Sequence, residues 1–280
     1  MKTFIKKILH PTRRFIINLK NSIKSIYFRT ESLLRLVKPL KIEKNHLTFK
    51  VGKTCNEGFG WWTNNYPTWE NHTFEIFDKF LNKEMIFFDI GTFSGHTTLY
   101  AAQKVKSVFG VDLDPMAYKA CLHNIKINKY KNVQIEHTAL ANKSGETFID
   151  EGTIGSSGCH MSKNGSVKVD SKTIEELMSI WNINKCDFIK MDIEGGEENC
   201  LPAMKKFFET YKPILFLSVH KHLGAKPQTI VDSTIHYEYV YDSKYENVKD
   251  TLYETIMSRG SDHSLQDYLF TNKPVKFDRR

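Results

Sequence analysis

The chain has 280 residues, of which 40% are hydrophobic and 12% aromatic, enough for a sizeable globular core and too apolar for a disordered chain. Its formal charge of +8 is uneven: residues 1–44 hold twelve Lys/Arg against Glu31 and Glu43, a balance of +10, which leaves −2 for the rest and argues against a uniformly basic nucleic-acid binder. Five cysteines, an odd number with no C-x-x-C pair, argue against a disulfide framework or a zinc ribbon and point to a reducing, cytoplasmic setting.

In the basic segment, Ile16, Leu19, Ile23 and Ile26 recur at helical steps among Lys20, Lys24 and Arg29. A second apolar cluster, Leu33, Leu34, Leu36 and Val37, ends at Pro39. No run approaches the roughly eighteen apolar residues of a membrane span, and no continuous apolar stretch follows the first basic residues as in a signal peptide. Two readings of residues 1–44 stand side by side: a peripheral attachment to an anionic membrane surface, or a helix that covers the main domain. The second domain is expected over residues 45–280.

That domain opens with "GFGWWTNNYPTW" at 58–69, whose aromatics line a sugar or cofactor site or else fill core. Short β-rich runs then alternate with helical patterns. The strands are "MIFFDI", "VFGVD", "VQIEHT", "CDFIKMD" and "PILFLSVH"; the helices lie near 95–104, 115–128, 171–182 and 197–210. Two further strands, "IHYEYVYD" and "QDYLFTN", flank a helical stretch near 244–258. Such alternation predicts a doubly wound, mostly parallel α/β sheet with helices on both faces.

Ligands bind outside the carboxyl ends of strands in such sheets. Asp89 ends the first strand, and Gly91 and Gly95 flank a turn whose helix N-terminus offers amide N–H groups. G-x-G-x-x-G is absent. A carboxylate beside exposed amides suits a zwitterion better than a pyrophosphate, and the methionyl end of S-adenosylmethionine is one. Asp112 ends the next strand, where an acid accepts hydrogen bonds from ribose hydroxyls; Asp114, just before Pro115, caps the following helix. Thr138 and Ala139 after the third strand are placed to flank an adenine. The Gly/Ser-rich stretch 151–165 is the expected acceptor loop.

The blocks "FFDIGTFSGHTTLYAA", "VFGVDLDPMAYKACLHNIKIN", "HTALANKSGETF" and "DFIKMDIEGGEENCLPAMKKF", with "TWENHTF" and "PILFLSVH" around them, resemble the FkbM family of S-adenosylmethionine-dependent methyltransferases from about residue 68 to 222. The resemblance implies a class I methyltransferase (Rossmann-like) fold with a seven-stranded sheet, and O-methylation of a sugar hydroxyl in a glycan, glycolipid or natural product. It places the cofactor against Glu70, Asp89, Gly91, Thr92, Ser94, Gly95, Asp112, Leu113, Thr138, Ala139 and Asp192. The chemistry falls to Asp192, His220, Glu194 and Lys190. Asp192 or His220 is the candidate base; alternatively Asp192, Glu194 and His220 hold a divalent metal. Many members carry Glu-x-His where this chain has Ser218-x-His220, which leaves the role of that glutamate open. Three other functions compete: a nicotinamide oxidoreductase, a nucleic-acid methyltransferase using the basic arm, and a non-catalytic binding protein. The missing central glycine opposes the first, and the neutral main domain opposes the second.

Overall fold

The computed structural model describes Ile26, residues 29–259 and residues 266–277. The Ile16–Leu19–Ile23 part of the expected basic helix lies outside the described residues.

Helix α1 covers residues 29–37, stopping before Pro39 as expected. Next comes an antiparallel hairpin, β1 (Leu40–Lys44) and β2 (Leu47–Val51), which straddles the boundary that the charge profile drew at residue 44. Each of its strands alternates a buried with an exposed face, so Ile42 and Phe49 turn inward. Helices α2 (Gly58–Asn64) and α3 (Asn71–Phe80) follow. The main sheet then starts: β3 (Ile86–Ile90), α4 (Thr98–Ala101), β4 (Ser107–Asp112), α5 (Pro115–Asn128) and β5 (Val133–His137).

A small side sheet interrupts the alternation, with β6 (Ala139–Leu140), β7 (Gly145–Ile149) and β8 (Val167–Lys172) in the order β6-β8-β7. The chain returns through α6 (Ile174–Ile180), β9 (Phe188–Met191), α7 (Glu197–Cys200), α8 (Lys205–Tyr211) and β10 (Ile214–Ser218). It closes with α9 (Pro227–Ser233), β11 (Tyr239–Asp242), α10 (Leu252–Arg259) and β12 (Asp267–Thr271). The seven-stranded sheet runs β11-β12-β10-β9-β3-β4-β5, all parallel except β12, which is antiparallel to both neighbours. This is the class I methyltransferase order, and all seven main-sheet strands lie where the sequence pattern placed them.

Adjacent strand residues feed opposite cores because side chains alternate across a sheet. Phe87 and Phe188 join Phe74 and Phe77 of α3 on one face; Phe88 and Ile189 join Leu177 of α6 and Phe207 of α8 on the other. Helix α1 touches the domain through Arg35, whose guanidinium lies 5.9 Å from the Phe59 ring centre. Its apolar residues point out: Leu33, Leu34, Leu36 and Val37 are all exposed. Among the described residues no helix is long and apolar enough to cross a membrane.

Candidate active site

A cleft of about 1110 Å³, counting its open mouth, lies over the carboxyl ends of β3, β4 and β9. Of the residues expected there, the structure brings together Glu70, Gly91, Thr92, Asp112, Leu113, Thr138, Ala139, Lys190, Asp192, Glu194 and His220. Asp89, Ser94 and Gly95 are placed elsewhere, in the wall behind the cleft. Asp89 is fully buried, accepting from the hydroxyls of Thr97 (2.9 and 3.1 Å) and Thr98 (2.6 Å). Ser94 donates to Glu57 at 2.7 Å, and a side chain on Gly95 would run into Leu99.

The turn after β3 also differs from the expectation of free amides. Gly91 and Thr92 both donate to the Val111 carbonyl, at 3.0 and 3.2 Å, and Gly95 donates to Thr92. Gly91 has φ +89, and a Cβ there would stand 1.9 Å from the Asp192 carbonyl oxygen. Only glycine lets β3 and β9 converge this closely.

Asp112 organises the rim. Its Oδ2 accepts from the Phe93 amide (2.6 Å) and its Oδ1 from the Asp114 amide (2.9 Å), leaving lone pairs on both oxygens. Burial pushes its carboxyl up to about 7, against those two hydrogen bonds. Asp114 caps α5 as its position before Pro115 predicted, accepting from Met116 and Ala117. The Gly/Ser-rich stretch contributes Ser156, Ser157 and Cys159 to the lining. The aromatic run divides between core and site. Trp62 and Tyr66 are fully buried, Trp69 lines the cleft, and Trp61 stacks on His96 with ring centres 4.5 Å apart.

The other end of the cleft is a charged cluster. Lys190, in β9, is buried, and its ammonium lies 3.0 Å from Asp192 Oδ2. Burial disfavours that charge, but Asp192, Asp89 and Glu70 outweigh it and raise the pKa. Burial likewise opposes an ionised Asp192, and Lys190 and His220 override it, so its carboxyl stays below the usual range. The chain then turns left-handed at Glu194 (φ +51) and Gly195 (φ +90), which aims Glu194 back toward β10. His220 Nε2 stands 3.4 Å from Asp192 Oδ1 and 3.5 Å from Glu194 Oε2. Glu194 is pushed up to about 7, chiefly by burial. His220 is lifted to about 9: burial works against its charge, but the hydrogen bond to Glu197 and the charges of Asp192, Glu197 and Glu194 prevail.

Sequence reasoning left three partners out of the site. Glu197, fully buried at the start of α7, sits 2.7 Å from His220 Nδ1. Asp267, across the β10–β12 ladder from Ser218, accepts its hydroxyl at 2.6 Å and lies 2.5 Å from His72 Nε2. A carboxylate thus stands beside β10 where Ser218 replaces the glutamate of the Glu-x-His pattern. Gln266 lines the cleft near His220. Only Glu197 carried a sequence signal, its place in "KMDIEGGE". Glu70, held left-handed (φ 44) ahead of α3, lies near both carboxylates; burial, with Asp267 and Asp192, raises it to about 8.

A family model described as the FkbM methyltransferase domain matches residues 89–249. The chain belongs to the FkbM methyltransferase family. That family uses S-adenosylmethionine, and the residues present fit it: a buried carboxylate with free lone pairs at Asp112, an unpartnered buried Thr92 hydroxyl, and acids to face positive charge. An uncharacterized protein of Methanocaldococcus jannaschii, MJ1452, is 36% identical over 58 residues, 21% of this chain and 22% of its own. A ribosomal protein L11 methyltransferase of Clostridium perfringens is 39% identical over 62 residues, 22% and 20% of the two chains. The matched stretch is thus about a fifth of either curated relative. Among solved structures, an FkbM methyltransferase from Methylobacillus flagellatus KT aligns at 14% identity and a TM-score of 0.45, covering 67% of this chain and 43% of that one.

Proposed function

We propose that the protein transfers a methyl group from S-adenosylmethionine to a sugar hydroxyl of a glycan, glycolipid or natural product. One observation carries the reading: a single cleft joins the Asp112 carboxylate at one end to the Asp192–Glu194–His220 cluster at the other. The cofactor supplies an activated methyl group on a sulfonium. Asp112 receives the ribose hydroxyls, while Glu70 and Asp192 face the positively charged methionyl end. Trp69 and the 156–159 segment wall the cleft where an acceptor enters. Methyl transfer is an in-line displacement in which positioning supplies much of the acceleration.

A hydroxyl nucleophile must also lose its proton. His220 stands among the Asp192, Glu194 and Glu197 carboxylates, which raise its pKa to about 9. Positive charge entering the cleft opposes that rise. Asp192 or His220 is the acceptor of the hydroxyl proton, His220 only while its Nε2 holds no other ligand. The arm adds a location: α1 exposes Leu33, Leu34, Leu36 and Val37 beside a +10 segment, which supports attachment to anionic lipid near a lipid-linked acceptor.

Calorimetry with S-adenosylhomocysteine and NAD tests the cofactor. Binding of the former only, weakened strongly by Asp112→Ala, is expected; unchanged affinity in the folded variant removes the ribose assignment. Mass spectrometry of glycans from cells with and without the protein tests the acceptor, by loss of a methyl increment. With that acceptor, Asp192→Asn and His220→Ala should lower turnover by roughly 10²–10⁴-fold. Full activity in both variants refutes the catalytic assignment.

A further inference from the structure

We infer that Asp192, Glu194 and His220 form a binding site for a divalent cation such as Mn²⁺ or Zn²⁺. The inference goes beyond methyl transfer and stands without it. His220 Nδ1 lies 2.7 Å from the fully buried Glu197 carboxylate, so it carries a hydrogen and donates it there. Nε2 is left facing Asp192 Oδ1 at 3.4 Å and Glu194 Oε2 at 3.5 Å. Three electron-rich atoms converge on one point, which requires positive charge between them. A proton on Nε2 is one occupant; a metal ion is the other.

The spacing favours the metal. Donors bound 2.0–2.2 Å from a common ion stand roughly 3.0–3.6 Å apart, and the two edges that meet at His220 Nε2 fall in that range. They are longer than a good charged N–H···O bond, roughly 2.7–2.9 Å. All three donor atoms lie within 4.8 Å of one another. Asp192 is divided between two tasks: Oδ2 goes to the Lys190 ammonium at 3.0 Å, and Oδ1 stays free for the cluster. The Gln266 side-chain nitrogen lies 3.4 Å from His220 Nε2 as a further polar neighbour. Glu197 plays the outer role usual for a metal-bound histidine, fixing its tautomer and ring orientation. A mixed imidazole–carboxylate set suits borderline divalent ions. Three protein ligands at a cleft leave coordination positions for an oxygen ligand.

The test titrates the full chain, stripped with chelator and dialysed, with Mn²⁺ while paramagnetic resonance follows the free ion. Calorimetry with S-adenosylhomocysteine on the same preparation reports the cofactor site separately, so failure of one reading leaves the other standing. A single tightly held ion per chain is expected. Asp192→Asn, Glu194→Gln and His220→Ala should each weaken it more than tenfold, and Glu197→Gln roughly 10–100-fold. Glu194→Gln, in a turn at the cleft edge, covers the case in which His220→Ala does not fold. No uptake at millimolar Mn²⁺ overturns the proposal. Uptake unchanged in Asp192→Asn and Glu194→Gln also overturns it, because the ion is then held elsewhere.

Discussion

Replacing Gly91 by alanine should damage both the fold and the site, because this residue lets β3 and β9 close at the cleft. The added Cβ would lie 1.9 Å from the Asp192 carbonyl oxygen, where ordinary contact begins at 3.4 Å, so that carbonyl must retreat by about 1.5 Å. A non-glycine residue at φ +89 costs about 1–2 kcal/mol, and forced overpacking adds about 1–3 kcal/mol. At about 2.1 cal/mol/K of unfolding entropy per residue over the 280-residue chain, the total of about 2–5 kcal/mol lowers Tm by about 3–9 °C. Displacing Asp192 should also weaken S-adenosylhomocysteine binding by at least tenfold. Thermal unfolding and calorimetry read the two effects. Gly145→Ala is the control: its φ of +147 is similarly unfavourable, but nothing lies within 4 Å of an added Cβ. If Gly91→Ala unfolds within a degree of Gly145→Ala and binds normally, the close approach of the two strands is not the constraint argued here.

Cofactor affinity should rise between pH 6 and 8, because Asp112, pushed up to about 7, must be ionised to accept two ribose hydroxyls. Asp112→Asn should reduce that rise, leaving the part that Glu70, raised to about 8, supplies, and a flat wild-type profile contradicts the assignment. The sign for stability is opposite: a carboxyl raised on folding contributes fully below its unfolded value near 3.8 and loses that contribution as pH climbs through about 7. Lys44→Met should cost about 2–4 kcal/mol in chemical unfolding, since the buried ammonium serves the carbonyls of Tyr66, Pro67 and Trp69 and the Asn71 side chain; a loss under about 0.5 kcal/mol would show those acceptors find other donors. Deleting residues 1–38, which spares β1, should abolish salt-sensitive co-sedimentation with anionic vesicles and leave S-adenosylhomocysteine binding intact. No preference for anionic over neutral vesicles in the full chain would reject the membrane reading.

The main sheet was legible in the sequence because its determinants are local. Runs such as "IFFDI" and "FIKM" are rich in large apolar residues and, apart from half-buried Ile86, buried throughout, as parallel strands between two helical layers are. Asp114 and Pro115 mark the start of α5 within two residues of each other. Asp112 could be read as a strand-end acid for the same reason. The β1–β2 hairpin was missed because charge, not pattern, drew the domain boundary: "LKIEK" alternates like a strand, yet its lysines count toward the basic arm. What the tertiary structure alone decided are contacts between distant positions. Ser218 meets Asp267 across 49 residues, and His220 meets Glu197 across 23. The same holds for Asp89, whose strand-end position marks a site acid but whose oxygens are taken by Thr97 and Thr98. Sequence periodicity says which face a side chain leaves from; which group meets it there depends on strands and turns brought together by the folded sheet.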